Sequence, residues 1–307
     1  MPAWQHGSEV EAVVRAGCIP ILYDVDRTTV EADRSALEQL VGPRTKALYV
    51  IHYLGWPQRS GALRGWCEVH GLTLIEDCAQ ALFATHDGQP VGSFGSLSIF
   101  CLYKTVGIPD GAVLHCTAPV NVERRSRHRG TRQVLQANAE WLLQRWNPLS
   151  VIRRKDIAET YGVHNFDLGD PETPPASASE GLAYRLLDPS IAERRRANQL
   201  RLSLSLGGIT LPAFTSPRAG ACPLVHPVMA GDKLAFLRAL ATRGVIGLDL
   251  WTHPHPAIES ARYPGATWLR RHVVGLPVHQ ELPVGATDHI AHAALSASEE
   301  TGGAPPL

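Results

Sequence analysis

Between residues 47 and 116 the chain passes through four short apolar segments: ALYVIHY (47–53), LTLIEDC (72–78), SLSIFCL (96–102) and GAVLHC (111–116). Runs of this length with little alternation of polar residues read as strands buried on both faces. Leu63, Trp66, Cys67 and His70 repeat at helical spacing between the first two, and Gly71 closes that helix. Upstream, IPILYDV (19–25) reads as another buried strand. Before it, Ser8 is placed to cap a helix, Glu11 completes a capping box, and the helix is expected to end at Gly17. Ala36, Leu37, Leu40 and Val41 form a further helical face, broken at Gly42-Pro43. Short apolar strands separated by helices predict βαβ units and an α/β fold, with a mostly parallel sheet flanked by helices.

The second half is organised differently. Residues 120–146 are expected to be helical and carry Arg124, Arg125, Arg127, Arg129 and Arg132, read mainly as a solvated helix face. Residues 167–181, with Pro171, Pro174 and Pro175, read as a surface loop and domain margin. Asp188-Pro189 opens a helix that runs to Gly207. A smaller α/β unit follows: a strand at 222–229, a helix at 232–244, a strand at 245–251 and a helix at 286–297. The expected division is a large domain over 1–186 and a small one over 187–307. The tail TGGAPPL reads as disordered.

Lys and Arg together number 29, as do Asp and Glu, so net charge supplies no general pull toward nucleic acid or an acidic membrane. No apolar run approaches the roughly 20 residues that cross a bilayer, and MPAWQHGSEVEAVV has no signal-peptide pattern, so a soluble cytoplasmic protein is expected. The cysteines Cys18, Cys67, Cys78, Cys101, Cys116 and Cys222 are widely spaced, which fits reduced thiols rather than a disulfide framework or zinc ribbon.

Three features carry possible chemistry. IEDCAQA (75–81) puts Glu76 and Asp77 at the C-terminal end of a buried strand, the edge where open α/β sheets build their sites. A carboxylate there needs a partner. A cationic ring nitrogen and a helix N-terminus or salt bridge are equally suitable. Lys104 follows the next apolar strand and should reach the same edge, where partial desolvation frees an amine for Schiff-base chemistry. Alone it would read as a surface lysine; Asp77 one strand earlier tips the reading toward function. His253, His255 and His279 read as turn histidines or as loops facing a cleft, without the spacing of a metal site.

The segments AGCIPILYDVD, GPRTKALYVIHYLGWPQ, HGLTLIEDCAQALFATHDGQPVGSFGS and IFCLYKT, in that order over residues 6–116, resemble the DegT/DnrJ/EryC1/StrS family. That resemblance implies the fold of the fold-type-I enzymes that use pyridoxal 5'-phosphate (PLP), and an aminotransferase acting on a keto group, with nucleotide-linked keto sugars as the family's usual acceptors. It implies glutamate as amino donor and a homodimer with shared sites. Lys104 resembles the lysine that binds the cofactor. Asp77 resembles the aspartate paired with the pyridine nitrogen, and Gln80 the glutamine beside the ring. The serine that touches the cofactor phosphate is matched nearest by Cys101 or Ser98. Arg194 to Arg196 and the arginines of 124–132 are candidates for substrate phosphates. No metal is implied. The family's Ser-Gly-Thr phosphate loop, first strands and a ring-stacking aromatic residue precede the matching region, so a misplaced start or an N-terminally truncated large domain is expected. A non-catalytic family remnant serving as a dimerisation module is the alternative.

Overall fold

A computed structural model describes residues 1–108, 110–119, 175–216 and 218–307. The expected arginine-rich helix at 120–146 and most of the loop at 167–181 lie outside the described residues.

The first half builds α1 (Ser8–Arg15), α2 (Arg34–Leu40), β1 (Ala47–Ile51), α3 (Ser60–His70), β2 (Thr73–Asp77), the two-residue hairpin strands β3 (Thr85–His86) and β4 (Gln89–Pro90), β5 (Leu97–Cys101) and β6 (Ala112–Cys116). Among the described residues, β1, β2, β5 and β6 form one sheet in that order. β1, β2 and β5 are parallel, in register through Ile51, Asp77 and Ile99, and β6 runs antiparallel to β5. This is the expected mostly parallel α/β sheet. α3 ends as its sequence predicts, with Gly71 at φ 64°.

Three expectations about the first half change. The segment 19–25 is not a strand. Tyr23 and Val25 make only isolated bridges, to Pro2 and Ala32, and Ile19 is exposed. Its apolar residues pack irregularly against the first core instead of joining the sheet. Ser8 is the first residue of α1 rather than its cap. Gly7, in the left-handed region, occupies the cap position, and Glu9 rather than Glu11 accepts the Gly7 N–H, at 3.1 Å. β6 is solvent-exposed along most of its length rather than buried on both faces.

The second half contains α4 (Ser177–Leu186), α5 (Ser190–Leu206), β7 (Val225–Met229), α6 (Lys233–Thr242), β8 (Leu248–Asp249), α7 (Pro264–His272), β9 (Val273–Pro277) and α8 (Ala286–Glu300). At α5 Pro189 occupies the position before the first helical residue, and the Asp188 carboxylate preceding it, the expected cap, accepts from the Ser190 N–H at 2.9 Å. β7, β9 and β8 make an antiparallel sheet with β9 in the middle. The sequence reading has neither β9 nor α7, and it makes a two-residue strand into a seven-residue one. α7 starts where it does because Asp24, far away in sequence, accepts from the Gly265 and Ala266 N–H groups at 2.8 and 2.7 Å. That cap is tertiary; the one local start signal is Pro264 in the first turn, which the sequence reading did not use. The tail is also not loose: the Gly303 carbonyl accepts from Gly231 N–H at 2.8 Å, and Ala304 packs on the cores.

One apolar core gathers Trp4, Tyr53, Leu54, Trp251, Leu269 and Val273, from both halves of the chain. A second joins Leu202, Phe236, Leu240, Val274, Leu276 and Ala294 within the second half. Arg270 ties the halves together at buried carbonyls, donating to Ala3 at 2.6 Å and Trp251 at 2.7 Å.

Candidate active site

Parallel strands carry their C-terminal ends to one edge, and this brings β2 and β5 chemistry together. Asp77 ends β2, and Lys104 closes a short 3-10 turn, Leu102–Lys104, directly after β5. The Asp77 carboxyl is buried. It accepts from the Tyr49 hydroxyl at 2.7 Å and from the Ala79 N–H at 2.9 Å. Burial pushes its pKa above the ordinary carboxylate value, with the Glu9 charge adding to the rise. The two hydrogen bonds and the Lys104 ammonium oppose it. Lys104 is half-buried, and among the described residues its amine has no hydrogen-bond or ion-pair partner. Asp77 and Lys104 therefore sense each other, and neither is consumed by the other.

Gln80 is buried beyond the end of β2, and its side-chain oxygen accepts from the Leu54 N–H at 2.8 Å. Leu54 sits at φ 56°, and the Leu54 and Gly55 backbone pairs with the 222–224 segment: Leu224 N–H to Leu54 O at 2.8 Å, Cys222 N–H to Gly55 O at 3.0 Å. A Cβ at Gly55 would lie 1.9 Å from the Cys222 carbonyl oxygen, so this close approach requires glycine. The orientation of Gln80 thus depends on the second half of the chain.

The two phosphate-contact candidates separate. Cys101 lies on the face of β5 shared with Ile99 and Asp77, and its thiol pKa, raised by burial, is lowered by Lys104. Ser98 pairs with Glu76 on the other face and donates its hydroxyl to the Gly92 carbonyl. Glu76 also leaves by that face, 0% exposed, and accepts from the N–H groups of Gly92 (3.2 Å), Phe94 (3.0 Å) and Gly95 (2.5 Å). His52 completes the cluster. Its Nδ1 accepts from the Gln58 N–H at 3.0 Å, so Nε2 carries the proton it donates to Glu76 at 3.1 Å. Of the adjacent acids, Glu76 anchors a loop and Asp77 faces the edge.

Among the described residues, most of the remaining candidates make structural contacts. His255 donates to Glu11 at 3.2 Å and accepts from Ala257, His279 accepts from Glu281, and His253 is exposed. Arg194 pairs with Asp188 at 3.0 Å, and Arg196 donates to the Ala221 carbonyl at 2.7 Å.

Sequence reasoning missed His6, Glu9 and Tyr49. The Lys104 charge depresses the His6 pKa, after the larger effect of burial. Tyr49 sits in an apolar strand, where only its hydroxyl could have signalled a buried acceptor nearby.

The donor set suits a pyridine cofactor: a buried carboxylate held by neutral donors, a half-buried amine that shares no ion pair with it, and an amide beyond them. A pyridinium N–H satisfies such a carboxylate, and a carbonyl group suits such an amine.

Comparisons with known proteins agree with the fold. Residues 1–112 match the DegT/DnrJ/EryC1/StrS aminotransferase family. The erythromycin biosynthesis sensory transduction protein EryC1 of Saccharopolyspora erythraea is 35% identical over 294 residues, covering 91% of this chain and 73% of that protein. The UDP-N-acetyl-3-dehydro-alpha-D-glucosamine 3-aminotransferase of Acidithiobacillus ferrooxidans is 34% identical over 129 residues, 41% of this chain. The match spans about a third of that enzyme, 35% of its length. In three dimensions the PLP-form of Spr1654 from Streptococcus pneumoniae superposes with a TM-score of 0.69 at 18% identity, covering 98% of this chain and 80% of that one.

Proposed function

Because this chain belongs to the DegT/DnrJ/EryC1/StrS aminotransferase family, we propose that it is a PLP-dependent aminotransferase in which Lys104 and Asp77 hold opposite ends of the cofactor. The supporting observation is the placement of the two groups at one sheet edge, electrostatically coupled and without a shared ion pair. Pyridoxal phosphate, when bound, supplies the electron sink that allows an amino group and a carbonyl to be exchanged.

The chain's own residues would contribute as follows. Asp77, oriented by Tyr49 and the Ala79 N–H, keeps a proton on the ring nitrogen. Lys104 attaches the cofactor and, once free, holds and returns the proton at the substrate carbon. Gln80, fixed by Leu54, lies beside the ring, and Cys101 is the nearer phosphate contact because it shares Asp77's face. The donor is glutamate and the acceptor a keto group. The name of the Acidithiobacillus relative, which describes a nucleotide-linked dehydro sugar, supports that acceptor class. A cytoplasmic homodimer with sites shared between subunits completes the reading.

The test is spectroscopic. Purified protein incubated with pyridoxal phosphate should develop the visible absorbance of a lysine-bound cofactor, and borohydride should fix the cofactor mass on the peptide containing Lys104. Lys104→Ala should abolish both signals and lower glutamate half-reaction rates by about 10²–10⁴-fold. Absence of the band in the wild type, or an adduct on another lysine, would reject the assignment.

A further inference from the structure

Arg195, in the middle of α5, is 1% exposed, and among the described residues no carboxylate pairs with it. Burial depresses its pKa. A buried charge without a counter-charge is costly, and an apolar side chain would fill the same space at lower cost. The guanidinium is therefore present for its donors. Nε donates to the Gln280 side-chain oxygen at 2.8 Å, Nη1 to the Pro223 carbonyl at 3.2 Å and Nη2 to the Thr105 carbonyl at 3.3 Å. Gln280 turns its own Nε2 to the same Thr105 carbonyl at 3.1 Å. The carbonyl immediately after Lys104 is thus held from two directions, by a helix and a loop some 90 and 175 residues away in sequence.

That carbonyl belongs to a turn whose Val106 and Ile108 side chains are buried in a third apolar cluster with Cys78, Ala81, Ile191 and Ala192. Thr105 and Val106 N–H both close on the Leu102 carbonyl, at 3.0 and 2.9 Å, and Leu102 N–H reaches Gly111 at 3.0 Å. These backbone bonds shape the turn itself, and none of them joins the Lys104 segment to the second half of the chain. The planar fork of Arg195, locked by Gln280, does so in a way a point-charge donor could not.

We propose that Arg195 and Gln280 are positioning residues for Lys104, clamping the Thr105 carbonyl so that the second half of the chain sets where the Lys104 amine points. The inference rests on the aminotransferase reading only for the use made of that amine. The clamp is tested separately, by hydrogen exchange on cofactor-free protein. Gln280 is only half-buried, so Gln280→Leu should fold, and Arg195→Lys keeps the charge while losing the fork. Both variants should accelerate exchange at amides 102–108 by about tenfold or more while leaving α6 and α8 protected, as expected for a local opening. Gln280→Glu keeps the acceptor for Arg195 and so should show a smaller effect than Gln280→Leu. With cofactor and glutamate, Gln280→Leu should lower kcat by about 10–100-fold with little change in KM, because misplacement by about an ångström costs on that scale. The pH midpoint of the visible band should also move. Unchanged exchange at 102–108, or faster exchange spread evenly over the protein, overturns the clamp. A clamp confirmed by exchange in a protein that never binds the cofactor overturns the aminotransferase reading instead.

Discussion

At Glu76 the carboxylate is enclosed by backbone N–H groups of Gly92, Phe94 and Gly95 and by the His52 ring, and these contacts hold its pKa below the ordinary value despite burial. Asp77, its neighbour, has the opposite balance: burial dominates and raises the pKa. The two should respond oppositely to removal of charge. Glu76→Gln leaves buried donors facing an amide and should cost about 1.5–3 kcal/mol of stability, measured by urea unfolding. Asp77→Asn should leave the stability of the cofactor-free protein unchanged or higher, and weaken cofactor binding. The sign follows from linkage. A carboxyl whose folded pKa is raised contributes stability that is complete below its unfolded pKa and is lost as pH rises through the raised value, so at neutral pH the charge is a burden. Equal losses in the two variants would contradict this division. Sequence alone placed both acids at the end of β2 but left the anchoring and ring-pairing readings equal. Strand alternation puts them on opposite faces, yet which face holds the loop is a matter of packing.

Among elements, the 3-10 turn at Tyr53–Gly55 links β1 to Gln80 and to the second half of the chain. Gly55→Ala would force a Cβ into the Cys222 carbonyl at φ 93°. It should cost at least ~2–3 kcal/mol, through backbone strain and the lost pairing with Cys222 and Leu224. Thermal unfolding measures it, and a melting temperature within a degree of the wild type would refute the close approach. The strands β1, β2, β5 and β6 and the helix α3 were legible because their apolar patterns and glycine stops are local signals. The segment 19–25 misled for the converse reason. Its residues are as apolar as a strand's, but Tyr23 and Val25 find a core rather than a ladder. α7 and β9 were missed: the Pro264 signal at the start of α7 went unread and its cap comes from distant Asp24, while the neighbours that make β9 a central strand lie on β7 and β8.

For the whole molecule, the second core contributes an acid response. His226 on β7 is 0% exposed, its Nε2 donating to the Thr210 hydroxyl oxygen at 2.9 Å and its Nδ1 facing the Gln199 amide at 3.5 Å. Thr210 already spends its own proton on the Leu206 carbonyl, so Nε2 carries a proton, and burial lowers the His226 pKa from 6.5 to about 4, which keeps the ring neutral near pH 7. The unfolded chain protonates first. The stability it contributes is complete above pH about 6.5 and is lost as pH falls toward about 4, roughly 3 kcal/mol in all. In His226→Gln the slope of unfolding free energy over that window should fall by up to one proton, measured by denaturant titrations at several pH values; an unchanged slope would exclude His226 as the source.

The α/β class, the positions of β1, β2, β5 and β6, and the presence of an acid and an amine at successive strand ends were written in the sequence, since apolar periodicity and turn residues act over a few positions. Parallel pairing then leaves Asp77 and Lys104 no choice but a common edge. Only the tertiary structure decided the orientation of the groups: Tyr49 on Asp77, Leu54 on Gln80, Arg195 and Gln280 on the carbonyl beside Lys104. Each of those contacts joins residues 26 or more apart, and a hydrogen bond between distant parts of a chain exists only once the core has placed both partners.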